Sequence, residues 1–106
     1  MVFHIVLFDP RTDLREEERE AVFAAFGRAQ AAIPSVRRAH VGRRVRHGAG
    51  YEAGMGEPLE YAAVLVFDDL DGLRTYLEHP AHRDVGERFN AAARTRLVYD
   101  YEVAED

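Results

Sequence analysis

At 106 residues the chain is long enough for one small domain with a real core, and its high surface-to-volume ratio favours covering one face with a partner. Hydrophobic residues make up 47% and charged residues 31%, a globular balance that excludes a fibrous repeat or a disordered tail. The net charge of -5 argues against general nucleic-acid binding, and the absence of cysteine and lysine removes disulfides, thiolate chemistry and a lysine Schiff base, leaving His, Tyr, Arg and carboxylates.

The N-terminal run alternates Val2, His4, Val6 and Phe8 with Phe3, Ile5 and Leu7, so this strand is apolar on both faces and needs two covers. No basic region or small-residue cleavage site precedes it and no apolar stretch reaches bilayer length, so a cytoplasmic protein with no membrane partner is expected. A turn follows at Asp9-Pro10-Arg11-Thr12. Asp13 with Glu16 fits a capping box for a helix over 14–33, whose stripe is Val22, Phe26, Ala29 and Ile33 and which Pro34 stops.

Residues 36–45 form a second strand rich in arginine (Arg37, Arg38, Arg43, Arg44), either a solvated edge blunted by charge or a rim that recognises a ligand anion. Residues 48–58 carry four glycines within nine positions and read as one mobile loop, a possible lid but not a phosphate loop, since no strand-to-helix context or Gly-Lys-Ser/Thr accompanies it. Tyr61–Phe67 is a third strand, again apolar on both faces. Asp68 and Asp69 cap a short helix with Leu70, Leu73 and Leu77 inward and Tyr76 on the flank.

Pro80 lacks an amide donor and biases His79 away from helical backbone, so one helix ends near Glu78 and another begins at Pro80. The second helix runs to about Ala93 with His82, Val85, Phe89 and Ala92 on one stripe. A fourth strand over 95–103 places Leu97, Tyr99, Tyr101 and Val103 on one face and Arg96, Val98, Asp100 and Glu102 on the other, with one wet side, before a frayed end from Ala104.

The order β-α-β-β-α-β, with the second helix split at His79-Pro80, predicts an α+β ferredoxin-like domain with a four-stranded antiparallel sheet and helices on one face. Two such sheets packed face to face give a dimeric α/β barrel, which accounts for the doubly apolar first and third strands and makes a homodimer through the open sheet face the expected assembly.

Over nearly its whole length the sequence resembles the Dabb family of stress-responsive dimeric A/B barrel domains. The resemblance rests on His4-Ile5-Val6-Leu7-Phe8, Ile33-Pro34, Val41-Gly42-Arg43, Phe67-Asp68-Asp69-Leu70 and above all Tyr76-Leu77-Glu78-His79-Pro80-Ala81-His82. Tyr61 stands where the family commonly has a histidine, and Ser35 where it has a glycine. The family includes a plant cyclase that closes a linear polyketide to olivetolic acid, and its catalytic Tyr and His fall on positions matching Tyr76 and His82. The resemblance thus implies His82 as base and Tyr76 as oxyanion donor in cofactor-independent cyclisation, aldol-type or isomerase chemistry on a small, largely apolar molecule.

His4, Tyr61 and His79 are the candidate substrate-binding residues, with helix capping the competing role for His79 and core packing for His4, Tyr76 and His82. No metal is expected, because Pro80 takes His79 out of the helical geometry that would let it share a face with His82. Two other readings keep the fold: a non-catalytic stress-response binding module, and a cofactor-free monooxygenase of the wider dimeric barrel superfamily.

Overall fold

The computed structural model describes residues 1–104, so the expected frayed end falls partly outside the described residues. Two strands apolar on both faces form the middle of its sheet. β1 (Val2–Pro10) pairs antiparallel with β3 (Tyr61–Phe67), and β2 (Arg38–Arg43) and β4 (Ala93–Glu102) flank them in the order β2-β3-β1-β4. Helices α1 (Glu16–Ala32), α2 (Leu70–Glu78) and α3 (Pro80–Ala92) complete the ferredoxin-like α+β fold. The Cα trace measures 37 × 36 × 16 Å, the thickness of one sheet plus one helical layer.

Under the helices, Val6, Phe8, Ala63, Leu65 and Phe67 meet Ala25, Ala29 and Ile33 from the α1 region and Leu73, Tyr76 and Val85 from α2 and α3. Burying each large side chain there stabilises the fold by about 1.5–3 kcal/mol. The other sheet face is uncovered. The registers Phe3↔Tyr101, Ile5↔Tyr99 and Leu7↔Leu97 align an apolar surface across β1 and β4, with Leu97 40%, Tyr99 50% and Tyr101 53% exposed.

That same register decides which face of β4 looks toward the helices. His4↔Asp100, Val6↔Val98 and Phe8↔Arg96 place the polar side of β4 under the helices, and its apolar side on the open face. A correction concerns α2: Leu73 and Tyr76 are its buried residues, while Leu70 and Leu77 are 48% and 42% exposed. At nine residues the helix presents only an i, i+3 pair to the sheet, and the bulkier aromatic takes the inner position.

Local competition explains the remaining differences. Asp13 does not cap α1, because the Arg11 Nε and Nη2 donate to its two carboxylate oxygens at 3.0 and 3.2 Å. The helix starts instead after Arg15, whose backbone N–H donates to the Glu18 carboxylate at 3.3 Å. β2 is shorter than expected, although the Arg37 and Arg44 amides still donate to Val66 and Glu60 carbonyls just beyond its ends. The glycine-rich loop contains a 3-10 turn, Gly50–Gly54, held by the Glu52 carboxylate, which accepts from the His47 and Gly48 amides.

The end of that loop is pinned by Asp9, a buried carboxylate at the end of β1. Its oxygens accept from the Glu60 amide at 2.7 Å, the Leu59 amide at 3.0 Å and Arg94 Nη2 at 3.1 Å. Leu59 has φ +43°, a left-handed conformation that a leucine adopts only when its surroundings hold it there. Arg94 is largely solvated, so water screens its share, and the two amides carry most of the interaction. Replacing Asp9→Ala strands both amides and is expected to cost about 2–3 kcal/mol, read as a lower urea midpoint with an unchanged m-value.

Candidate active site

Two helices meet at the His79-Pro80 corner, and the backbone there does what proline chemistry requires. His79 is extended (φ -72°, ψ 139°), its amide closes α2 on the Tyr76 carbonyl at 3.2 Å, and Pro80 opens α3 at a position needing no donor. The His79 Nδ1 accepts from the Ala81 amide at 3.0 Å, which makes His79 the N-cap of α3 and leaves its proton on Nε2. The corner turns Tyr76 and His82 toward each other, with ring centroids 4.5 Å apart.

Both rings line a cavity of about 240 Å³ between sheet and helices. Its walls are mostly apolar, with Val6, Phe8 and Val98 from the sheet, Phe23 and Phe26 from α1 and Phe89 from α3. His4, Tyr76 and His82 collect at one end. His4, buried, lies 5.9 Å from the Tyr76 ring, edge to face, and its Nδ1 donates to the Asp100 carboxylate at 2.6 Å. That bond orients the imidazole and leaves Nε2 as its second polar atom.

The Tyr76 hydroxyl has no hydrogen-bond partner among the described residues, and burial raises the phenol to about 12, so it stays protonated and able to donate. His82 Nδ1 lies 3.2 Å from the Leu77 carbonyl; since a carbonyl only accepts, Nδ1 carries the proton and the neutral ring presents its lone pair at Nε2. Burial lowers the His82 pKa below its ordinary value, opposed by the Leu77 bond and assisted by the nearby His4. The neutral, accepting form therefore predominates at pH 7.

Comparison with known proteins identifies the scaffold. The Dabb family, described as Stress responsive A/B Barrel Domain, matches residues 2–103. The chain belongs to the Dabb family. No curated relative matches it. Among solved structures, a dimeric protein of unknown function with a ferredoxin-like fold from Bacteroides fragilis is 32% identical, with a TM-score of 0.69 over 96% of this chain and 95% of that one. A dimeric ferredoxin-like protein of unknown function from Thermobifida fusca is 25% identical, with a TM-score of 0.77 over 96% and 90%. The hydroxynitrile lyase of Passiflora edulis, 17% identical, superposes with a TM-score of 0.84 over 99% and 94%, a likeness of fold.

In this Dabb domain three of the five residues singled out from sequence, His4, Tyr76 and His82, line one cavity. Tyr61 and His79 do not. Tyr61 stands behind the wall, stacked on Phe8 at 5.5 Å and tilted against Phe23 at 5.4 Å, and His79 is engaged as the helix cap. None of residues 48–58 lines the cavity. The arginines around β2 are largely tied up, Arg37 with Asp68 and Arg43 and Arg46 with Glu60. Sequence reasoning missed Asp100 and Arg96; pairing the first and fourth strands antiparallel places Asp100 opposite His4 and is the signal that finds it. Among the described residues no helix is long and apolar enough to cross a membrane, and no group of three His, Cys, Asp or Glu is placed to hold a metal ion.

Two titrations check this electrostatic picture. Ultraviolet difference spectroscopy is expected to show a late tyrosine transition near 12, which Tyr76→Phe removes. Carbon-detected NMR is expected to place the His82 midpoint below 6.5. Because the folded value lies below the unfolded one, the associated stability is fully present above about pH 6.5 and is lost as pH falls through the folded midpoint. His82→Gln should flatten that acid-side slope.

Proposed function

We propose that this Dabb protein is a homodimer, assembled through its open sheet face, in which each subunit binds a small, largely apolar carbonyl compound and acts on it without a cofactor. The reaction class is proton removal next to a carbonyl, as in aldol-type cyclisation or isomerisation. The observation that carries this reading is the pairing of a Tyr76 hydroxyl without a partner among the described residues with a neutral His82 at one end of a mostly apolar cavity.

The division of labour follows from the protonation states. His82 Nε2 takes the proton from carbon, and the Tyr76 hydroxyl donates to the oxyanion that develops on the carbonyl oxygen. The resulting carbon nucleophile attacks a second carbonyl in cyclisation, or recovers the proton at another carbon in isomerisation. His4, oriented by Asp100, holds a polar group of the substrate at the same end. Tyr61 backs the Phe8 wall and His79 fixes the corner, so both act on the substrate's placement. Dimerisation is supported by the exposed apolar strip Leu97, Tyr99 and Tyr101, and by the dimeric descriptions of the Bacteroides fragilis and Thermobifida fusca proteins.

The chemistry is tested with 4-pentylacetophenone in deuterated buffer, following loss of the methyl-ketone proton signal by NMR. The protein is expected to accelerate exchange, and His82→Ala and Tyr76→Phe each to reduce it about 10²–10⁴-fold with little change in melting temperature. A marked fall in melting temperature with unchanged exchange returns both side chains to packing roles. Light scattering at micromolar concentration is expected to give twice the chain mass, and Tyr99→Glu to give the monomer. A monomeric wild type removes the homodimer.

A further inference from the structure

The cavity has a second polar end, and its chemistry is opposite in kind to the first. Arg96 is the only arginine lining it among the described residues, and its guanidinium lies over the Phe89 ring, 5.7 Å from the centroid. No carboxylate among the described residues pairs with it, whereas Arg94, two residues earlier on β4, is bound to both Asp9 and Glu57. Asn90 lines the cavity as well, following Phe89 on α3.

Two independent rulers place this cation away from the reacting pair. Along β4, Arg96 pairs with Phe8 and Asp100 with His4, four residues apart, or roughly 13 Å at strand rise. Along α3, Phe89 follows His82 by seven residues, or roughly 10 Å at helical rise. Phe89 itself packs edge-on against Phe8 at 4.8 Å, so helix and strand agree on which end is which. The cavity thus runs from the Tyr76–His82 pair at one end to the exposed Arg96 guanidinium at the other.

Resting on the reading of this cavity as a ligand site, we propose that its ligand is an amphipathic carboxylic acid. The carboxylate is held by Arg96, the apolar body lies against Phe8, Phe89 and Val98, and the carbonyl to be acted on reaches Tyr76 and His82. A guanidinium binds a carboxylate through two parallel N–H donors, and the Phe89 ring face holds the cation beside the cavity. The same cation sets direction: a carboxylate at the His4 end meets the Asp100 charge behind it and is disfavoured there.

The test compares 4-pentylbenzoate with 4-pentylbenzyl alcohol, two probes of nearly the same shape that differ in charge, by titration calorimetry at pH 7.5 and low salt. Wild type is expected to bind the benzoate about tenfold tighter than the alcohol. In Arg96→Gln that preference is expected to vanish, and in Arg96→Lys to return in part, with the alcohol as internal reference in each protein and the melting temperature as a folding control. Equal binding of both probes by wild type, or a preference that survives in Arg96→Gln, overturns the carboxylate inference and leaves the apolar-ligand reading standing. If neither probe binds or shifts the His82 NMR signals, the ligand reading fails and this inference with it.

Discussion

Pro80 has no amide proton to give to a preceding carbonyl, and the geometry of the candidate site depends on that missing donor. On an uninterrupted α-helix, residues six apart are separated by roughly 9 Å along the axis and by about a third of a turn around it. Tyr76 and His82 would then address different neighbours. With the chain extended at His79 and restarted at Pro80, their rings come within 4.5 Å. The break also leaves the carbonyls at the end of α2 in need of donors, and one of them, Leu77, accepts a hydrogen bond from His82 Nδ1. The interruption that brings the two rings together therefore also selects the imidazole tautomer with its lone pair at Nε2.

The sheet beneath imposes the second constraint. Helices from one chain cover one face of β1 and β3, yet both faces of these strands are apolar. On the helix side, β1 and β3 alone are apolar enough to build the core, so edge strand β4 is free to contribute Arg96 and Asp100 there. On the other side Leu97, Tyr99 and Tyr101 extend the apolar surface of β1. A strand whose charged side faces the helices is unusual in a two-layer domain, and it makes sense where the inner face borders a cavity that needs polar groups.

Much of this was legible in the sequence, and the failures share a cause. Period-two alternation located β1 and β3, and the proline rules located the corner to the residue. Alternation says which residues share a face, however, and not which face looks inward. For Arg96, Val98 and Asp100 only the register with Phe8, Val6 and His4 puts them on the helix side of the sheet, where all three stay exposed. In α2 the stripe of leucines was read as the core, but a helix of nine residues buries a single i, i+3 pair and packing chose Leu73 and Tyr76. His4, Tyr76 and His82 were visible as chemistry; their convergence, and Asp100 behind them, needed the register.

Desolvation ties these features together electrostatically. Removing water penalises charge, so it raises the Tyr76 phenol to about 12 and lowers the His82 imidazolium, moving an acid and a base apart through one cause. Both groups are neutral at pH 7, one able only to donate at its hydroxyl hydrogen and the other to accept at Nε2. A lower imidazole pKa weakens the base while increasing the fraction ready to act, and the weaker base then depends on stabilisation of the product anion. Tyr76 is placed to supply that stabilisation, since its hydroxyl has no other partner among the described residues. The cavity can therefore favour charge that develops during reaction on two groups that are neutral at rest.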